Sequence, residues 1–190
     1  MKFRLTLPTL ALLSISVGTL ADEARIGELL LSIPEQFKGP VSGAPAEHTS
    51  TIAYAVSSSP GTPGAVLQVT RLEGDRPPPS LSEAEATRLR SQYLHQMLGG
   101  IERARADFTR SSPQNVRLGG LMASKITWKG KLRGVQTNGA MYCMVVGSDL
   151  VWLHAFGPGG EPDPDTSQAI IAIETLAVSA NKSLERTRAR

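Results

Sequence analysis

The sequence predicts an α+β fold: a mixed, largely antiparallel β-sheet flanked by helices on both faces, an α/β/α sandwich in the order β-β-β-α-β-β-β-α. Three observations lead there. Prolines crowd 34–79 and 158–164 but are absent from 80–112 and 114–157, so long regular elements belong in those two intervals. Apolar residues recur with helical period through 81–108 and with period two from Asn115 onward. Two consecutive segments near the C-terminus are apolar on both faces, and a strand of that kind needs cover on both.

Taken in order, Leu29 to Ile33, halted by Pro34, reads as a short strand. Thr49 to Val56 alternates through Ile52, Tyr54 and Val56, and Ala65 to Leu72 carries Val66, Leu67, Val69 and Leu72 between Gly/Pro turns. Both are predicted strands. Pro77-Pro78-Pro79 then forces an extended approach to Ser80-x-x-Glu83, a capping-box pattern. Leu89, Tyr93, Met97 and Ile101, with Leu94, Leu98 and Ala104 beside them, make 81–108 an amphipathic helix with a kink or break at Gly99-Gly100. On its polar face Arg103 is placed to pair with Asp107, and Glu102 with Arg105. From Asn115, Val116, Leu118, Gly120, Met122, Ser124, Ile126 and Trp128 share one face of a strand that ends at a Lys129-Gly130-Lys131 turn. Leu132 to Val145 and Leu150 to Phe156 follow, joined by a two-residue hairpin at Gly147-Ser148. Cys143, Val145, Leu150 and Trp152 fall on one face, and Tyr142, Met144, Val151 and Leu153 on the other. Asp165-x-x-Gln168 opens a closing helix over 166–178, with Ile170, Ile173, Leu176 and Ala177 in one stripe.

The first 21 residues are read as a signal peptide. Lys2 and Arg4 form a positive start, Leu5 to Val17 is mostly apolar, and Thr19 and Ala21 supply the small residues of a cleavage site between Ala21 and Asp22. A membrane span needs about 20 predominantly apolar residues, and this run is shorter and interrupted by Pro8, Thr9, Ser14 and Ser16. The expected organisation is a signal peptide (1–21), one α/β domain (22–180) and a basic, disordered tail (181–190). The expected location is the periplasm. The net charge of +3 belongs to the chain ends: 22–180 holds 14 Lys+Arg against 16 Asp+Glu, a net of −2. This removes the electrostatic footprint a nucleic-acid-binding domain requires.

The element order, with "LSIPEQF" in the first strand, a long central helix, "VRLGGLMASKITW" after it and a closing helix, resembles the PsbP-like superfamily over roughly 28–178. This is the superfamily of PsbP, of DcrB-like envelope proteins and of chaperones for secreted effectors. The resemblance implies the sandwich fold and a non-catalytic binding or assembly role, and it supplies no catalytic residues.

The residues themselves agree with that role. One cysteine rules out an intramolecular disulfide and a Cys-cluster zinc site. Cys143 and His154 fall as diagonal neighbours on one strand face, but Met141, Val145, Leu150 and Trp152 surround them. Apolar burial makes a thiol inert. His48 and His95 have no ligand spacing, and Glu161, Asp163 and Asp165 are too few for a calcium loop, so helix capping accounts for Asp165. No GxSxG, GxxxxGK or GxGxxG occurs, and no catalytic, cofactor or metal site is expected. Lys125, Lys129, Lys131 and Arg133 concentrate at one hairpin beside Trp128. They form the candidate surface for an acidic partner or an anionic lipid surface; the alternative is a solvated turn whose lysines deter edge pairing. The sequence therefore predicts an exported, periplasmic, non-catalytic binding or assembly protein whose partner is another envelope or secreted protein. The rival readings are an immunity protein against a toxin delivered to the same compartment, and a hydrolase or thiol enzyme.

Overall fold

The structure, a computed structural model, describes residues 23–26, 29–43, 46–57, 64–74 and 81–178. The segment 1–21 read as a signal peptide and the 181–190 tail lie outside these residues. Eight strands form the main sheet. They are β3 (Lys38–Ser42), β4 (Thr49–Ala55), β5 (Val66–Leu72), β6 (Ala106–Arg110), β7 (Gln114–Leu118), β8 (Leu121–Leu132), β9 (Val135–Val146) and β10 (Asp149–Pro158). Their order is β3-β4-β5-β10-β9-β8-β6, with β7 also paired to β8. A three-stranded sheet joins β1 (Glu23–Ile26), β2 (Leu29–Ser32) and β11 (Ala177–Val178). Every described pairing is antiparallel, so the parallel component implied by a mixed sheet is absent among the described residues. Helix α1 (Glu83–Arg103) packs on β8, β9 and β6, and α2 (Pro164–Glu174) packs chiefly on β10.

The two apolar faces of β9 and β10 receive the two covers. Tyr142, Met144, Val151 and Leu153 join Ala169, Ala172 and Ile173 of α2 and Leu29 and Leu31 of β2 in the larger core. Cys143, Leu150 and Trp152 join Ile126, Trp128, Met141 and Leu94 and Leu98 of α1 in the smaller one. The Gly147-Ser148 turn sets the register, with Val146 opposite Asp149 and Cys143 opposite Trp152.

Local expectations are corrected at the β7–β8 hairpin, the next turn and both helices. The strand from Asn115 is a hairpin, because Gly119 and Gly120 both take positive φ (55° and 86°), the geometry of a tight two-residue turn. Leu118 then pairs with Leu121 and Val116 with Ala123, so Val116 and Leu118 face α2 while Ser124, Ile126 and Trp128 face α1. The next turn is Arg133-Gly134 rather than Lys129-Gly130-Lys131, with positive φ at both residues (51° and 83°). Gly130 lies mid-strand, where Arg105 and Phe108 pass closely over it. The long helix stops at Arg103, and 106–110 becomes an edge strand bulged between Ala106 and Thr109. Its cap is Ser82 with Glu85, two residues beyond the expected pair, and Gly99-Gly100 lies within the helix. The closing helix begins on Asp163, whose carboxylate accepts from the Thr166 N–H, with Pro164 at the first turn. Asp165 instead accepts a hydrogen bond from Gln36. Thr175 and Leu176 end α2, so 177–178 pair with β2 instead of extending it.

Gly139 shows how closely the smaller core is assembled. A Cβ built on it would lie 2.8 Å from Cζ2 of Trp128 and 2.7 Å from the backbone oxygen of Ala155. Gly139→Ala is expected to cost about 1–3 kcal/mol through overpacking, measured as a lower denaturant midpoint. An unchanged midpoint would show that the Trp128 ring has room to move.

Candidate functional site

Odd-numbered residues of β8 point to the α2 side, and this alternation sets Lys125, Lys129 and Lys131 along one strand. Each meets a carboxylate from a different element. Lys125 Nζ donates to Glu174 Oε1 at the end of α2 (2.7 Å), Lys129 donates to Glu161 in the loop before α2, and Lys131 pairs with Asp107 on β6 (2.6 Å). Arg133 is exposed at the hairpin tip. Asp107 is therefore turned to Lys131, and Arg105 to Thr137 and the Trp128 ring, so the expected Arg103–Asp107 and Glu102–Arg105 pairs are replaced by contacts to the sheet.

Tyr142 reinforces the Lys125 contact. Its hydroxyl donates to the same Glu174 oxygen (2.8 Å), and Lys125 Nζ lies 5.3 Å from the centre of the tyrosine ring. Burial, together with Glu174, drives the Tyr142 hydroxyl well above its ordinary range, so it remains a donor. Burial alone would raise the Glu174 carboxyl; hydrogen bonds from Lys125 and Tyr142 and the lysine charge outweigh it and hold the carboxyl below its usual value.

Beside Lys129 lies a cleft of about 300 Å³, lined by Thr109, Arg110, Thr127, Lys129, Asn138 and Glu161 among others. Asn138 builds its wall. From β9, opposite Lys129, its side-chain N–H groups reach the carbonyls of Gly159 (2.9 Å) and Glu161 (2.8 Å) and hold the loop that carries Glu161. Sequence reasoning singled out the lysines and missed Asp107, Glu174, Asn138 and Arg110 as their surroundings. Glu161 was visible only as part of an acidic loop, since nothing local pairs residues 32 apart in the chain.

The other face holds Cys143 and His154, and it keeps them apart chemically. Burial pushes the Cys143 thiol up to about 12, only partly opposed by the charge of Arg90. His154 Nε2 accepts the Trp128 Nε1–H (3.2 Å), and burial, aided by the Arg105 charge, pushes its pKa down to about 3. The imidazole nitrogen a thiol would need is already occupied, and the ring carries its proton on Nδ1. Among the described residues, no group of three or more His, Cys, Asp or Glu is arranged to hold a metal, and no helix is long and apolar enough to cross a membrane.

No family model and no curated protein matches the chain. Among solved structures it is similar to LpqN, involved in cell envelope biogenesis in Mycobacterium tuberculosis, at 16% identity and a TM-score of 0.51, over 83% of this chain and 90% of that one. It is also similar to PA94 of Pseudomonas aeruginosa, a protein of unknown function, at 12% identity and a TM-score of 0.42, over 80% and 89% of the two chains. A third similar structure, from Bacteroides thetaiotaomicron, has 12% identity and a TM-score of 0.45, over 81% of this chain and 46% of that one. At these identities the likeness is one of fold.

Proposed function

We propose that this chain is an exported envelope protein of the PsbP-like superfamily. In this reading it acts without catalysis, by docking an acidic segment of another envelope or secreted protein on the β8 lysine row and the adjoining cleft. The observation that carries the reading is the set of ion pairs at Lys125, Lys129 and Lys131, each bridging to a different element, with the Lys129–Glu161 pair lining the cleft. Exposed ion pairs contribute about 0–1 kcal/mol each, so an incoming carboxylate can replace Glu161 or Asp107 at almost no net cost. Arg110 and Arg133 add cations near the same sheet edge. The export pattern at the N-terminus supports the location, as does the fold shared with a protein of cell envelope biogenesis. The buried, protonated Cys143 thiol and the neutral, hydrogen-bonded His154 support a role without catalysis.

The test is affinity capture from envelope extract with the mature chain and with a Lys129→Glu/Lys131→Glu variant. The expected result is an acidic protein retained by the wild type, eluted by moderate salt, and reduced at least tenfold on the variant. Equal capture by both would remove the lysine row from the reading.

A further inference from the structure

The geometry points to α1 as a hinged cover that lifts from the sheet as a unit, with its hinge at Gly99-Gly100, while β9, β10 and α2 remain folded. Three independent features of the α1 layer carry this.

The first is that α1 is held to the sheet by apolar packing, through Leu94 and Leu98 with Leu89, Tyr93, Met97 and Ile101 beside them, and by no polar tie of its side chains among the described residues. Among the described residues, the side-chain hydrogen bonds made by residues 82–103 all close within the helix and its cap: Ser82 with Glu85, Thr87 with Glu83, and Arg90 with Glu83 and Thr87. The buried Arg90 guanidinium therefore travels with the helix. By contrast, α2 is bonded outward, through Glu174 to Lys125 and Tyr142 and through Asp165 to Gln36. Leu94 and Leu98 are the fully buried apolar anchors of α1.

The second is where polar atoms are sealed without partners. Of the five such side-chain atoms among the described residues, Arg90 Nε, Ser124 Oγ and Trp152 Nε1 belong to this layer. Ser124, Cys143 and Trp152 are successive neighbours in one row across β8, β9 and β10, on the face that α1 covers. Each of these groups is stripped of water in the closed form and regains it on opening, so the closed form is favoured less than its apolar contacts alone would make it.

The third is the position of the glycine pair. A Cβ on Gly100 would meet nothing within 4 Å, and one on Gly99 only the far end of Arg103, so packing requires neither glycine. Both weaken the helix relative to alanine. They lie between the Leu98 anchor and a fixed point at Arg105. That side chain donates to the Ile101 carbonyl (3.3 Å) and to Thr137 Oγ1 (3.2 Å), and its guanidinium sits 4.5 Å from the Trp128 ring. A helix pinned beyond its C-terminus and loosened just before the pin swings from that end.

Cys143 is the sole cysteine and is fully buried under this cover, so its alkylation under native conditions reads the opening. The expected result is labelling much faster than global unfolding permits, with a denaturant dependence clearly smaller than that of global unfolding because only the α1 face is exposed. Gly99→Ala/Gly100→Ala should slow it about tenfold, as expected for two glycine-to-alanine changes within a helix. Hydrogen exchange read by mass spectrometry provides the second measurement on the unmodified chain, with α1 amides exchanging through an opening that leaves α2 and β9 protected. The proposal is overturned if Cys143 labelling shows the full denaturant dependence of global unfolding, or if α1 and α2 exchange together. It is equally overturned if the double alanine variant labels at the wild-type rate.

Discussion

Trp128→Ala is expected to lower the unfolding free energy by about 3–5 kcal/mol, the range for removing a large aromatic side chain from a core. Trp128 is the centre of an aromatic column on the α1 face. Phe108 stacks at 6.1 Å between ring centres, with His154 at 5.7 Å and Phe156 at 6.4 Å, and Arg105 lies over the ring. The backbone beneath has no side chain to fall into the space, because Gly139 underlies the indole. The loss therefore combines transfer, cavity and cation–π contributions with an unpaired acceptor at His154 Nε2. Chemical denaturation followed by circular dichroism measures it. Trp128→Phe, which keeps a ring but removes the N–H, should lose less. A loss below about 1 kcal/mol for Trp128→Ala would mean that the column collapses into the gap instead of leaving the cavity expected of a close-packed core.

Acid should destabilise the fold through His154 well before the carboxylates contribute. In the unfolded chain this imidazole takes up a proton near the ordinary histidine value of ~6.5. In the fold it does so only at about 3, because burial and then the Arg105 charge oppose it. Protonation would also set an Nε2–H against the Trp128 N–H that now points at it. Between these two values the unfolded chain binds the extra proton, so stability falls as pH falls, by ~1.4 kcal/mol per unit. The loss reaches on the order of 3 kcal/mol by about pH 4.5. The carboxyls of Asp149 and Glu174 are lowered in the same sense and act in the same direction of pH, but in a more acid range: their stabilisation is present above ~4.3 and is lost only below it. The window from about 6.5 to about 4.5 thus isolates the histidine. Denaturant midpoints across that window should decline in the wild type and flatten in His154→Gln. An equal decline in both would assign the acid sensitivity elsewhere.

Which parts of this were legible in the sequence follows from the range of the forces involved. The Gly147-Ser148 turn is a local signal, and from it the pairing of Cys143 with Trp152 and the division of β9 and β10 into two apolar faces could be written down correctly. The Gly119-Gly120 turn failed as a signal for a physical reason. The two-residue loop exchanges which alternate residues face α2, and β8 carries apolar residues of both parities, so reading straight through the glycines placed Val116 and Leu118 on the wrong side. The end of α1 was misplaced because Ala104 and Phe108 continue the helical spacing of Met97 and Ile101, whereas the backbone at 106–110 is claimed by pairing to β8.

The candidate site divides in the same way. Lys125, Lys129 and Lys131 could be found by inspection, but their carboxylate partners lie 49, 32 and 24 residues away in the chain and are brought to them only by the sheet and α2. Local composition and period thus determined that this chain forms two helices and a sheet with two apolar faces, and that its thiol lies in apolar surroundings. The tertiary structure alone decided that the lysines are already paired, that His154 is held neutral by burial and accepts the Trp128 N–H, and that α1 is bonded to itself while α2 is bonded to the sheet. These depend on contacts between residues far apart in sequence, whose partners no local pattern can specify.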